Sequence, residues 1–189
     1  MVRSLTEDGH IVRSNIRVEK DPTIRATDLD PAFTDEVRAE PGGAQIDRCI
    51  ACGRCTASCP VQAVNPSFDP RRIVRSAILG LAGEVLASDF VWLCAGCYAC
   101  RERCPQGVLV TDLMVALRNI AVRRGIVHPS FRAQIAELRK YGRLYEVGPF
   151  GKKRVKIGLP PLEDDPAPLR RIFALSGIDD LVPPVEGKT

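Results

Sequence analysis

All eight cysteines of this 189-residue chain fall in two tight runs. The first reads CIACGRCTASCP and supplies Cys49, Cys52, Cys55 and Cys59, closed by Pro60. The second reads CAGCYACRERCP and supplies Cys94, Cys97, Cys100 and Cys104, closed by Pro105. Both keep the spacing C-x2-C-x2-C-x3-C-P, the ligand pattern of proteins that carry a pair of 4Fe–4S clusters. Three thiolates two residues apart lie on a tight loop that can curl around three irons of one cubane. The fourth is carried off as the chain leaves the loop and reaches the neighbouring cubane. The expected metal ligands are therefore Cys49, Cys52, Cys55 and Cys104 on one cluster, with Cys94, Cys97, Cys100 and Cys59 on the other. Proline after the last cysteine of each run removes one N–H and sets φ where the chain changes direction.

Other cysteine chemistry fits less well. Four disulfides suit a small secreted scaffold, but the N-terminal residues are charged throughout and lack the apolar stretch of a secretory signal. Structural zinc takes two close pairs a dozen or more residues apart, not four thiols within eleven positions. A thiol–disulfide switch needs one CxxC beside a βαβ unit, and no such unit is legible. Gly53 and Gly96 are expected to give the loops room beside inorganic sulfide, and Ile50, Val61, Trp92 and Val108 to keep water away.

Nothing else in the chain suggests catalysis, so none of its residues is assigned a catalytic role. There is no G-x-G-x-x-G, and Gly80-x-x-Gly83 lies within helical periodicity rather than in a phosphate loop. His10 and His128 stand alone and read as surface residues. Hydrophobic residues make up 45% and charged residues 26%, as in ordinary globular chains. The longest apolar stretch, residues 77–83, is too short to cross a bilayer, so a cytoplasmic location is expected. The net charge of +4 is uneven: residues 1–47 hold 6 basic and 10 acidic side chains, and the rest is basic. The basic residues are scattered and aromatics reach only 5%, which argues against nucleic acid as a partner. Lys152-Lys153-Arg154 reads as a solvated run or a docking patch for an acidic partner.

The elements that must position the cysteines are mainly helical. Asp69-Pro70 is an N-cap and first-turn pair, and Ile73, Val74, Ala77, Ile78, Leu81, Val85 and Leu86 predict one amphipathic helix over residues 70–88. Thr111 is expected to cap a second helix, with Leu113, Leu117, Ile120 and Ala121 on one face. Pro129-Ser130 opens a third that ends near Gly142, with Ile135 and Leu138 inward. Residues 11–18 alternate weakly as a strand, and an extended acidic segment punctuated by Pro22, Pro31 and Pro41 follows. Residues 142–168 are rich in glycine and proline and are expected to be irregular, before a short helix over residues 168–176.

Two such runs held apart by a helical segment resemble the α-helical ferredoxin modules of succinate dehydrogenase iron–sulfur subunits and of the heterodisulfide reductase C subunits. The stretch from Val91-Trp92-Leu93-Cys94 to Cys104-Pro105-Gln106-Gly107-Val108, followed by Thr111-Asp112-Leu113, is similar to the latter. The resemblance spans roughly residues 47–142. A succinate dehydrogenase iron–sulfur protein would carry a plant-type 2Fe–2S domain with further cysteines before Cys49, which are absent. The resemblance implies an α-helical ferredoxin domain over residues 47–142, with two 4Fe–4S clusters as cofactors. An extended arm (1–46) would precede it, and an irregular extension with one short helix (143–189) would follow. It also implies a non-catalytic relay component, in a heterodisulfide reductase or in the heterodisulfide reductase-like complexes of bacterial sulfur metabolism. The implied partners are a flavin-containing subunit and a catalytic, cysteine-rich subunit with Cys-Cys-Gly motifs. In sulfur oxidisers a lipoate-carrying protein joins them. A free two-cluster carrier is the alternative. The long terminal segments and the positive charge favour the complex, because extra segments need something to bind.

Overall fold

The computed structural model describes residues 3–5, 11–13, 24–145, 147–162 and 165–183. Two compact units emerge, Met1–Ile120 and Ala121–Thr189. In the first, β1 (Arg3–Leu5) and β2 (Ile11–Arg13) pair as a short antiparallel hairpin. Only the first three residues of the expected strand at 11–18 belong to it; residues 14–18 and His10 lie outside the described residues.

Helix α1 (Pro31–Ala39) occupies sequence expected to be extended. The signal was there: Asp30 caps it, accepting from Ala32 N at 3.0 Å, and Pro31 takes the first turn. Phe33 and Val37 point inward and are fully buried. The Thr34 hydroxyl donates to the carbonyls of Ala77 and Ile78 at 3.1 and 3.3 Å, tying α1 to the end of α4 (Pro70–Ile78). Burial of a phenylalanine of this kind contributes about 2–3 kcal/mol, so residues 31–39 are core rather than arm.

Between α1 and α4 lie α2 (Arg54–Ala57) and α3 (Pro60–Val64), and after α4 come α5 (Ala82–Leu86), α6 (Phe90–Leu93) and α7 (Ala99–Glu102). Asp69 caps α4 as expected, accepting from Arg72 N at 3.1 Å. The single helix expected over residues 70–88 is broken in two at Gly80. That residue adopts φ +75°, and a Cβ on it would lie 2.4 Å from the Asp30 carbonyl oxygen. Asp30 N donates to Gly80 O at 2.8 Å, so the break is where the start of α1 docks. Apolar periodicity runs unbroken through both pieces, because Leu81, Val85 and Leu86 still face the core.

α8 (Val110–Arg123) begins before Thr111, which sits buried in its first turn instead of capping it. Leu113, Leu117, Ile120 and Ala121 are fully buried as expected. The boundary between the two units falls within this helix.

The second unit contains α9 (Pro129–Tyr141), α10 (Gly148–Lys156), α11 (Ala167–Ser176) and α12 (Ile178–Leu181). His128 caps α9, its Nδ1 accepting from Ser130 N at 3.3 Å, and Gly142 ends it as expected. Ile135 and Leu138 are half-buried. α10 contradicts the expected irregular stretch: once the chain is past Gly148 and Pro149, the FGKKRVK segment carries no further helix breaker except Gly151. Arg139 of α9 holds Asp179 at 2.7 Å and the Val182 carbonyl at 2.5 Å, and lies over the Phe173 ring. No helix among the described residues is long and apolar enough to cross a membrane.

Candidate metal centres

The two cysteine runs fold alike. Each places a four-residue helix, α2 or α7, after its second cysteine, and α2 packs on α7. Each also turns two residues into the left-handed region at matching positions. In the first run these are Ala51 (φ 55°) and Gly53 (φ 81°); in the second, Gly96 (φ 64°) and Tyr98 (φ 62°). Among the described residues, Ala51 and Tyr98 are the non-glycine residues with positive φ. Such a conformation costs an L-residue about 1–2 kcal/mol, and it bends three cysteines of each run around one space. A Cβ on Gly96 would meet nothing within 4 Å, and one on Gly53 only the Arg71 side chain at 3.7 Å. Both glycines sit on left-handed backbone, which glycine adopts without the cost borne by Ala51 and Tyr98.

Two cavities open inside these loops. One is lined by Cys94, Cys97, Cys100 and, from the other run, Cys59. The other is lined by Cys49, Cys52, Cys55 and Cys104. The mirrored linings match the repeat in the sequence. Proline explains the exchange between runs: Pro60 begins α3 with Cys59 at its cap, so the chain turns away from its own loop just after the fourth cysteine. Among the described residues, no three His, Cys, Asp or Glu side chains close on a point where a single metal ion could sit. Each quartet instead surrounds a space, and four thiols around a mostly apolar space suit a cubane better than one ion.

Apolar side chains make up much of the surroundings. Phe68 and Met114, both buried, line the first cavity together with Val61; Val74 and Val108 line the second. Of the expected shields, Val61 and Val108 do line cavities. Ile50 lines one but is 62% exposed, and Trp92 lines neither. Cys52 and Cys97 are the exposed cysteines, and the other six are half-buried. Burial pushes the Cys55 and Cys100 thiols up from their ordinary value, opposed by side-chain hydrogen bonds from Thr56 and Thr111. Iron must overcome that burial to hold them as thiolates.

Hydrogen bonds of defined geometry reach sulfur directly. Val108 N donates to Cys104 Sγ at 3.3 Å, and Thr111 Oγ1 lies 3.4 Å from Cys100 Sγ, where the hydroxyl donates once the sulfur is a thiolate. The role of Thr111 was missed because Thr before an apolar run reads first as a cap. Around them, Arg118 holds the carbonyls of Val91 and Cys94 at 2.6 and 2.8 Å, fixing the entry to the second run. Arg38 forks onto Asp47 at 2.6 and 2.9 Å, fixing the entry to the first and holding the Asp47 carboxyl below its usual range. Arg101 bridges to Asp112 at 3.0 Å, tying α7 to α8. These arginines bind partners distant in sequence, so spacing gave no sign of them.

Fold and cavities together define a helical iron–sulfur protein, and the 4Fe–4S dicluster domain family matches residues 45–108. Relatives at substantial identity extend over most of the chain. It is 32% identical over 167 residues to the C subunit of the H2:CoB–CoM heterodisulfide, ferredoxin reductase of Methanothermobacter thermautotrophicus, covering 84% of this chain and 89% of that one. It is 35% identical over 171 residues to the iron–sulfur C subunit of the CoB–CoM heterodisulfide reductase of Methanopyrus kandleri, covering 86% and 88%. It is 37% identical over 123 residues to the C subunit of the ferredoxin:CoB–CoM heterodisulfide reductase of Methanosarcina mazei, covering 65% and 75%. The chain belongs to the family of heterodisulfide reductase iron–sulfur C subunits, and its 4Fe–4S domain serves electron transfer.

Proposed function

We propose that the chain holds two 4Fe–4S clusters and relays electrons within a heterodisulfide reductase or heterodisulfide reductase-like complex. Cys49, Cys52, Cys55 and Cys104 would ligate one cluster, and Cys94, Cys97, Cys100 and Cys59 the other. The observation that carries this reading is the lining of the two cavities, where each quartet takes three cysteines from one run and one from the other. A bound cluster supplies one-electron exchange without bond making. The protein contributes the thiolates, the donors Val108 N–H and Thr111 hydroxyl that draw charge from two sulfurs, and apolar side chains that keep water off.

The proposed partners are a flavin-containing subunit and a catalytic, cysteine-rich subunit with Cys-Cys-Gly motifs that bears the substrate site; the complex could also serve a lipoate-carrying protein. The proposed location is the cytoplasm, where thiols stay reduced and available to iron; all eight cysteines are free. Iron analysis tests the cluster reading: about eight irons and eight sulfides per chain are expected, and four irons or stoichiometric zinc would overturn it. Crossed ligation makes a sharper demand. Cys104→Ser should perturb the electron paramagnetic resonance signal of the same cluster that Cys52→Ser perturbs. If it instead pairs with Cys97→Ser, the ligand assignment is wrong. A chain found monomeric in its own cell extract would favour the free-carrier alternative.

A further inference from the structure

The two cavities differ in the charge at their mouths. Arg54 and Arg71 line the cavity of Cys49, Cys52, Cys55 and Cys104. Arg103 stands with Arg54 on the adjoining cleft beside Cys104, and Arg48 reaches to within 4.0 Å of a Cβ position on Gly107. All four arginines are exposed. Arg48, Arg54 and Arg103 make no ion pair within the described residues, and Arg71 makes only a loose 3.9 Å approach to Asp69. Glu102 is the acidic side chain lining that cleft, against Arg54 and Arg103. Within this group stand the exposed Cys52 and the 62% exposed Ile50. The other cavity has no charged residue in its lining, and the exposed segment beside it is Ala95, Gly96, Cys97 and Tyr98.

Arginines left without partners elsewhere on the chain would read as a solvated face. Here they flank an apolar side chain and an exposed ligand cysteine, which is the make-up of an interface centre: an apolar anchor with arginines around it. We propose that the mouth over Cys52 docks the acidic face of a redox protein, and that one electron crosses there. One centre is oxidised and the other reduced, with no bond made and no proton moved. The proposal rests on the cluster assignment made above. Its physical basis is steering: opposite charge raises encounter rates by roughly 10- to 1,000-fold, and salt removes the gain.

An acidic flavodoxin serves as the probe. As hydroquinone it gives up one electron, becoming semiquinone, while one cluster of the reconstituted full-length chain is reduced. Stopped-flow rates should fall about tenfold as salt rises from roughly 20 to roughly 300 mM. At low salt, R48E/R103E should lower the rate about tenfold, whereas R48K/R103K should keep it. A structural role for these arginines would not track charge in that way. Val64→Glu, an exposed position at the end of α3 on the side of the uncharged cavity, should leave the salt dependence as it was. A rate indifferent to salt, or equal losses in the Lys and Glu pairs, would overturn the docking surface. Eight irons with an indifferent rate would reject the docking surface alone, whereas a wrong iron count rejects the cluster reading beneath it.

Discussion

Gly80→Ala and Gly96→Ala place the same methyl on left-handed backbone in two different surroundings. At Gly96 the new Cβ meets no protein atom within 4 Å, so the cost the protein itself imposes is the conformational one, about 1 kcal/mol. At Gly80 it would lie 2.4 Å from Asp30 O and 2.8 Å from Asp30 N, so the Asp30 backbone must move. That motion endangers the 2.8 Å bond from Asp30 N to Gly80 O, a loss of about 1 kcal/mol net. It also shifts the capping residue of α1, at about 1 kcal/mol more. The sum for Gly80→Ala is about 3 kcal/mol, roughly three times the cost at Gly96. Thermal unfolding of the iron-loaded chain, followed by circular dichroism at about 222 nm, should place the Gly80 variant on the order of 10 °C below wild type and the Gly96 variant only a few degrees below. Equal shifts would mean that the break between α4 and α5 is not held by α1, and the account of how that segment is positioned would fail.

Three further outcomes follow from the same geometry. Phe33→Ala should cost about 3–5 kcal/mol and lower the iron retained after mild heating, because residues 31–39 belong to the core. A neutral Phe33→Ala would return this segment to the arm. Thr111→Val should lower the potential of the cluster assigned to Cys94, Cys97, Cys100 and Cys59 by tens of millivolts in order of magnitude, read by a redox titration, since it removes a donor to Cys100 Sγ. An unchanged potential would mean that the hydroxyl does not donate to the sulfur. Tyr98→Gly should raise the midpoint of thermal unfolding by a few degrees in order of magnitude by relieving left-handed strain, and an unchanged or lower midpoint would mean that this backbone stores none.

What the sequence determined alone was the chemistry and the helices nearest to it. Ligand spacing is local: thiols two and three residues apart are constrained by the loop that bears them, so two copies of one pattern announced the cofactor and pointed to the fourth cysteine of each run lining the other run's cavity. Capping is local as well, which is why the starts of α4 and α9 were legible from Asp69-Pro70 and Pro129-Ser130. The same Asp-Pro signal stands at Asp30-Pro31, within a segment whose prolines read as extended. What only the tertiary structure decided were features set by partners distant in the chain. Gly80 looked like one more position in a helical period, because apolar periodicity does not register a backbone that arrives from far earlier in the chain. Thr111 looked like a cap until Cys100 stood beside it. Ala51 and Tyr98 are ordinary residue types whose left-handed backbone appears only when the loops close. The arginines were scattered in sequence, and folding gathered four of them near one cavity while leaving the other uncharged. Charge acts through space, and no spacing rule along the chain could have brought them together.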